Sequence, residues 1–150
     1  MGSMNDRDEL VELMARYASI PDTDDWEALP LAVFTDPVCF DFESVTGAPP
    51  AELPLAKLLA GFRAGLAPFA TTHHAITNHR VSVFGDQADI RAHVRAEHWL
   101  RADPAAGDPA CWLLVGFYDH HAVRTRDGWR LDRIALTVTH QSNAHLRERR

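Results

Sequence analysis

The chain is 150 residues long, 46% hydrophobic and 24% charged, with a formal net charge of −6 when histidine is counted neutral. That composition is globular, so wholesale disorder is excluded, and the length suits one domain with a core of its own. Net acidity argues against a nucleic-acid partner, and no apolar run approaches the ~18 residues of a membrane span.

Met1-Gly2-Ser3 ahead of a second Met reads as a cloning remnant, and no basic-then-apolar secretory signal follows. Asn5 to Ile20 reads as a helix. Asn5 or Asp6 caps it, acidic residues fill its first turn, and Leu10, Leu13, Met14 and Tyr17 follow the spacing of a buried stripe. Pro21 ends it. In DTDDWEALPLAVF a shorter second helix is expected, with Asp25 as its cap and Trp26, Leu29 and Val33 inward, broken into two turns by Pro30. Val38 to Phe42 is a short strand and GAPPAELP a loop. Leu55, Leu58, Leu59, Phe62 and Leu66 mark a third helix, closed by Pro68.

The period then changes to two. Thr72 to Phe84 is a strand, Gly85-Asp86 a turn, and Ala88 to Arg101 a strand in which Ile90, Ala92, Val94 and Ala96 alternate with Arg91, His93, Arg95 and Glu97. After the loop ADPAAGDPA come strands from Cys111 to Arg124 and from Trp129 to His140, joined at Arg126-Asp127-Gly128. The expected fold class is α+β: a cone-shaped α+β barrel, its curved antiparallel sheet wrapped on about three N-terminal helices, with a pocket inside. One domain is expected over residues 4–144, with a basic C-terminal tail at 145–150. Cys39 and Cys111, with no CxxC, read as buried thiols in a reducing, cytoplasmic setting.

Four stretches resemble the SnoaL-like branch of the nuclear transport factor 2-like superfamily: YASIPDTDDW with VFTDPVCFDF, then TTHHAITNHRV, then VFGDQADIRAHV, then GFYDHHAVRTRDGWRLDRI. Together they span nearly the whole chain. This superfamily includes scytalone dehydratase, a dehydrochlorinase, polyketide cyclases, ketosteroid isomerase and proteins that only bind or assemble, so the resemblance speaks to fold before activity. It implies a pairing of Asp22, four residues before Trp26, with His74, four residues before Asn78. Where the dehydrochlorinase has a basic residue on helix one and an Arg on the last strand, this chain has Tyr17 and Ile134. That argues against loss of a halide. Homodimerisation through the sheet is also expected from the resemblance.

A neutral imidazole near pH 7 is a competent general base, and a carboxylate on its other nitrogen fixes its tautomer and stabilises the imidazolium. Asp22 equally suits a helix cap or turn, with His74 simply facing the interior. Strand alternation puts His73 and His74 on opposite faces, and likewise His74 and His79, so the histidine-rich ATTHHAITNH is not expected to hold a metal. The same alternation puts His74 and Asn78 on one face and extends the apolar faces of the later strands to His98 and His140. Those residues are therefore candidates to look into the cone, or strand ends reaching water. Tyr17 and Tyr118 are candidate donors to a substrate carbonyl or enolate, or buried rings with tied-off hydroxyls. Trp26, Trp112, Trp129, Phe40 and Phe62 read as core, and Trp99 as pocket or interface.

The expectation is a small cofactor-free, metal-free enzyme acting on a hydrophobic carbonyl compound by proton abstraction and return, giving dehydration, isomerisation or cyclisation. Catalytic His74 and Asp22 would be joined by Tyr17, Asn78, His98, Tyr118 and His140 as substrate-binding residues. The alternative is a non-catalytic module holding an apolar ligand in the cone. Epoxide hydrolysis, which expects an Asp–Arg–Asp set in the pocket, fits less well because the late-strand Asp and Arg residues fall mostly on polar faces.

Overall fold

In the computed structural model the described residues are 5–101, 105, 107 and 110–148. Helix α1 (Asp6–Asp22) is capped by the Asn5 side chain, which accepts from the Asp8 amide at 2.9 Å. Its expected stripe, Leu10, Leu13, Met14 and Tyr17, is buried. The helix carries through Pro21 and ends on Asp22. Asp25 does act as a cap, accepting from the amides of Ala28 and Leu29, but only a 3-10 turn follows, Leu29–Ala32. Pro30 has no N–H to give an α-helical bond, and the chain runs straight into strand β1 (Phe34–Asp41).

A short helix α2 (Glu43–Thr46) and strand β2 (Ala51–Leu53) occupy the stretch expected to be mostly loop. Helix α3 (Leu55–Leu66) and the long strands β3 (Phe69–Phe84), β4 (Gln87–Leu100), β5 (Cys111–Thr125) and β6 (Gly128–Ser142) lie close to their expected places. Most of the 102–110 loop lies outside the described residues, as do residues 1–3.

The six strands form one sheet in the order β2-β1-β6-β5-β4-β3. All pairs are antiparallel except β1 with β6, which is parallel, so the sheet is mixed rather than antiparallel throughout. The helices cover its concave face, giving the α+β cone, and the edge strands β2 and β3 do not pair, so the barrel stays open. On β4 the inward side chains Ala88, Ala92 and Ala96 are small and buried. They leave space for the large rings on the neighbouring strands.

Two of the four register shifts in the β3–β4 and β5–β6 ladders reset the alternation at residues singled out in the sequence. Between Thr77↔His93 and Arg80↔Arg91 strand β3 carries one extra residue, and Asn78 there has φ 57°, in the left-handed region that asparagine tolerates. Between Val115↔His140 and Gly116↔Val138 strand β6 carries another. Gly116 is required there, because a Cβ on it would overlap the Thr137 carbonyl.

Two further expectations are corrected. Cys39 is exposed and Cys111 half-exposed, because Cys39 takes the outward position after buried Val38 and Cys111 starts its strand. Residues 145–148 are not a free tail: a 3-10 helix (Ala144–Glu148) folds back, burying Leu146 at 2% exposure. Residues 149–150 lie outside the described residues. No helix among the described residues is long and apolar enough to cross a membrane.

Candidate active site

Asp22 closes α1 where β3 passes it. Thr72 and His74, two apart on one strand, present the same face to it. The carboxylate takes three hydrogen bonds. The His74 amide gives to Oδ2 at 2.7 Å, the Thr72 hydroxyl to Oδ1 at 2.9 Å, and the His74 ring Nδ1 lies 2.8 Å from Oδ1. Burial by itself would raise the Asp22 pKa, but the His74 ring bond and charge, the amide and the Thr72 hydroxyl outweigh it, so the group sits below its ordinary value. An ionised carboxylate only accepts, so in the neutral ring Nδ1 carries the proton and Nε2 has the lone pair. The two side chains are 12% and 16% exposed, which is shielded yet reachable.

His98 pairs with Thr72 across β3 and β4, which sets its ring one diagonal step from His74. The rings stand edge-on, with centroids 5.6 Å apart and planes at 89°. His98 Nδ1 donates to the Trp112 carbonyl at 2.9 Å, and its ring stacks on the Trp112 indole at 4.0 Å. Burial, helped by the neighbouring His74 and Arg147 charges, pulls the His98 pKa down to about 4. His98 is therefore a neutral imidazole at pH 7, with Nε2 as an acceptor.

Tyr17 and Tyr118 meet edge-on, with ring centroids 5.4 Å apart and planes at 86°. Burial drives both pKa values upward, so both remain protonated. His120 packs on both rings and is nearly sealed. The Ala135 amide donates to its Nδ1 at 3.2 Å, and burial lowers its pKa to about 3.

Tyr17, His74, His98 and Tyr118 open on one cavity of about 360 Å³. Its walls are mainly apolar and aromatic, with Trp26, Phe40, Phe42, Phe62 and Trp112, and its polar members include Tyr17, His74, His98 and Tyr118. Trp129 instead packs under Arg124, and Trp99 is exposed. A mostly apolar cavity with a few convergent polar groups is the usual form of a small-molecule site. Among the described residues no group of three or more His, Cys, Asp or Glu is placed to hold a metal ion.

Of the seven residues singled out in the sequence, five line or support this cavity: Tyr17, Asp22, His74, His98 and Tyr118. Asn78 and His140 do not, and their expected inward placement is corrected. The β3 bulge turns Asn78 outward and puts His79 on the inner side, half-buried near Arg7, where burial and that charge lower its pKa. The β6 bulge likewise leaves His140 exposed beside the Ser142 hydroxyl at 3.2 Å. Sequence reasoning did not reach Thr72, although its i, i+2 relation to His74 signals it. It also missed Arg147, which lay in the presumed tail but lines the cavity.

The model of the SnoaL-like domain matches residues 2–135. The structure of the Kfla4162 protein from Kribbella flavida is similar at 53% identity and TM-score 0.91, covering 96% of this chain and 97% of that one. A proposed aromatic ring hydroxylase from Novosphingobium aromaticivorans is similar at 28% identity and TM-score 0.78, covering 95% of each chain. A proposed scytalone dehydratase from the same organism shares the fold at 21% identity and TM-score 0.71, covering 90% of this chain and 85% of that one. No curated protein matches the sequence. The domain match over most of the chain and the cone fold place this protein in the SnoaL-like domain family, within the nuclear transport factor 2-like superfamily.

Proposed function

We propose that the protein is a cofactor-free lyase or isomerase that moves a proton on a hydrophobic carbonyl compound, with dehydration, isomerisation or cyclisation as the outcome. The observation that carries this reading is the 2.8 Å contact between His74 Nδ1 and Asp22 Oδ1 at the wall of an apolar cavity. His74 Nε2 takes the proton next to the carbonyl. Asp22 holds the tautomer and stabilises the imidazolium as it forms. A Tyr118 hydroxyl, backed by Tyr17, donates to the oxygen as it becomes an enolate, and the dry walls strengthen that bond. His98 Nε2, a neutral acceptor, takes a hydrogen bond from a substrate hydroxyl. The likeness to a proposed scytalone dehydratase is compatible with this chemistry.

A module that only stores an apolar ligand has no use for a carboxylate accepting three bonds to orient one imidazole. That geometry favours the catalytic reading over the binding one. The test is exchange of the α-protons of 2-tetralone in D2O, followed by NMR. The wild-type protein accelerates exchange above buffer, and His74→Ala returns it to the buffer rate with folding intact by circular dichroism. No acceleration by the wild type, or full acceleration by His74→Ala, would overturn the assignment.

A further inference from the structure

Two cations that proton transfer does not use line the cavity, the exposed Lys57 and the half-buried Arg147, and only the second is drawn into the ring-lined wall. Arg147, on the C-terminal 3-10 helix, lines the cavity from the side opposite Asp22 along a continuous row of rings. The Arg147 guanidinium lies over the Trp112 indole, 5.1 Å from its centroid. Trp112 stacks on His98, and His98 meets His74. Two of its donors are spent on backbone carbonyls: Nε gives to Ala144 at 3.3 Å and Nη1 to Val45 at 3.1 Å. These bonds fix the fork in place without neutralising it.

A guanidinium has five N–H donors, so donors remain on Nη1 and Nη2. No carboxylate among the described residues lies within ion-pair range of Arg147. The side chain is half-buried. A partly desolvated charge without a counter-ion is costly in an apolar wall, and such groups are ordinarily paired. We propose that the missing counter-ion is the substrate's: the cavity takes a cyclic, mostly apolar carbonyl compound that carries a carboxylate. Arg147 is its specificity-determining residue, binding the carboxylate at one end of the row while the carbonyl carbon frame reaches His74 at the other. Aromatic walls from Phe40, Phe42 and Trp112 suit a flat ring between the two ends.

This deepens the proton-transfer reading and rests on it for the meaning of "substrate", but binding alone tests it. The probes are 2-naphthoate, ionised at neutral pH, and its neutral isostere 2-naphthamide, titrated against the quenching of tryptophan fluorescence. The wild type binds the carboxylate at least about tenfold more tightly than the amide, the scale of one charge-assisted bond pair. Arg147→Gln loses that preference and leaves amide binding unchanged, whereas Arg147→Lys keeps part of it. His74→Ala keeps the whole preference even where it loses proton exchange, so failure of the catalytic reading and failure of this one are separable. Equal binding of the two probes by the wild type, no binding of either, or equal loss of both in Arg147→Gln would each overturn the proposal.

Discussion

His98 and His74 stand edge-on with ring centroids 5.6 Å apart, yet only His74 has a carboxylate on its Nδ1. His98 instead gives its Nδ1 proton to a backbone carbonyl, which cannot offset a full charge. The two imidazoles are thereby divided into different jobs. One can become an imidazolium during turnover. The other is kept neutral by burial, with its pKa near 4. An NMR titration of the histidine rings is expected to leave His98 in one neutral tautomer, protonated on Nδ1, down to about pH 5. A His98 that titrates near its ordinary value would contradict the assignment.

The same shifts set the acid limb of stability. In the unfolded chain His98 and His120 bind protons near pH 6.5, whereas in the folded chain they do so only near pH 4 and 3. Between those values the unfolded state holds more protons, so stability falls as pH drops from 6.5. Asp22, with its lowered folded pKa, adds a loss of the same sign further down, as pH falls below the ordinary carboxylate value. Each buried histidine contributes on the order of a few kcal/mol across its window. Urea unfolding at pH 7.5, 6.5, 5.5 and 4.5 is expected to show midpoints that hold above 6.5 and decline below it. A midpoint that holds level down to pH 4.5 would count against both histidines being buried and neutral.

A graded series separates the parts of the Asp22 cradle. Thr72→Val removes one donor to Oδ1 and leaves both His74 bonds, so kcat is expected to fall only several-fold, with the Asp22 pKa rising toward its ordinary value. Asp22→Asn loses the charge that stabilises the imidazolium, and a fall of about 10^3- to 10^4-fold is expected, with KM nearly unchanged. Equal rates for Asp22→Asn and wild type would mean that the carboxylate only ties the end of α1 to β3.

Tyr118→Phe tests the oxygen-binding role. Burial pushes the phenol pKa well above its ordinary value, so it stays protonated and is a donor throughout the working pH range. Removing it is expected to cost about 10^2-fold in kcat, the usual scale for one donor to a developing oxyanion. Tyr17→Phe is expected to cost less, because Tyr17 acts by packing edge-on against the Tyr118 ring. A reversed order would place the oxygen at Tyr17.

Much of this site was legible in the chain because its residues follow simple local rules. His74 and His98 sit on undisturbed stretches of alternating strand, and Tyr17 lies on the buried stripe of α1. Asp22 needed the resemblance, since a carboxylate after Pro21 reads locally as a cap. Asn78 and His140 were misplaced for one shared reason. Alternation is counted residue by residue, and a single bulge inverts everything beyond it. Neither bulge has a strong local signature: an Asn tolerates the left-handed conformation without demanding it, and Gly116 precedes its bulge on the opposite strand. Arg147 was out of reach because its short basic context, HLRERR, matches a frayed end, and only Leu146 hints at docking.

Gly116 gives the last prediction, because the bulge that misled the alternation also depends on it. A methyl group at Gly116 meets the Thr137 carbonyl, which is backbone and cannot swing away. Gly116→Ala therefore has to push β5 and β6 apart where Tyr118 and Leu136 pair, and a loss of about 2–4 kcal/mol is expected. Gly65 on α3 is the control. It lines the cavity, and nothing lies within 4 Å of an added Cβ there. Gly65→Ala is expected to stabilise the helix by about 0.5–1 kcal/mol. Urea denaturation of the two variants beside wild type checks both signs. A Gly116→Ala protein as stable as wild type would mean that the β5–β6 bulge yields cheaply, and the outward aim of His140 would then need another cause.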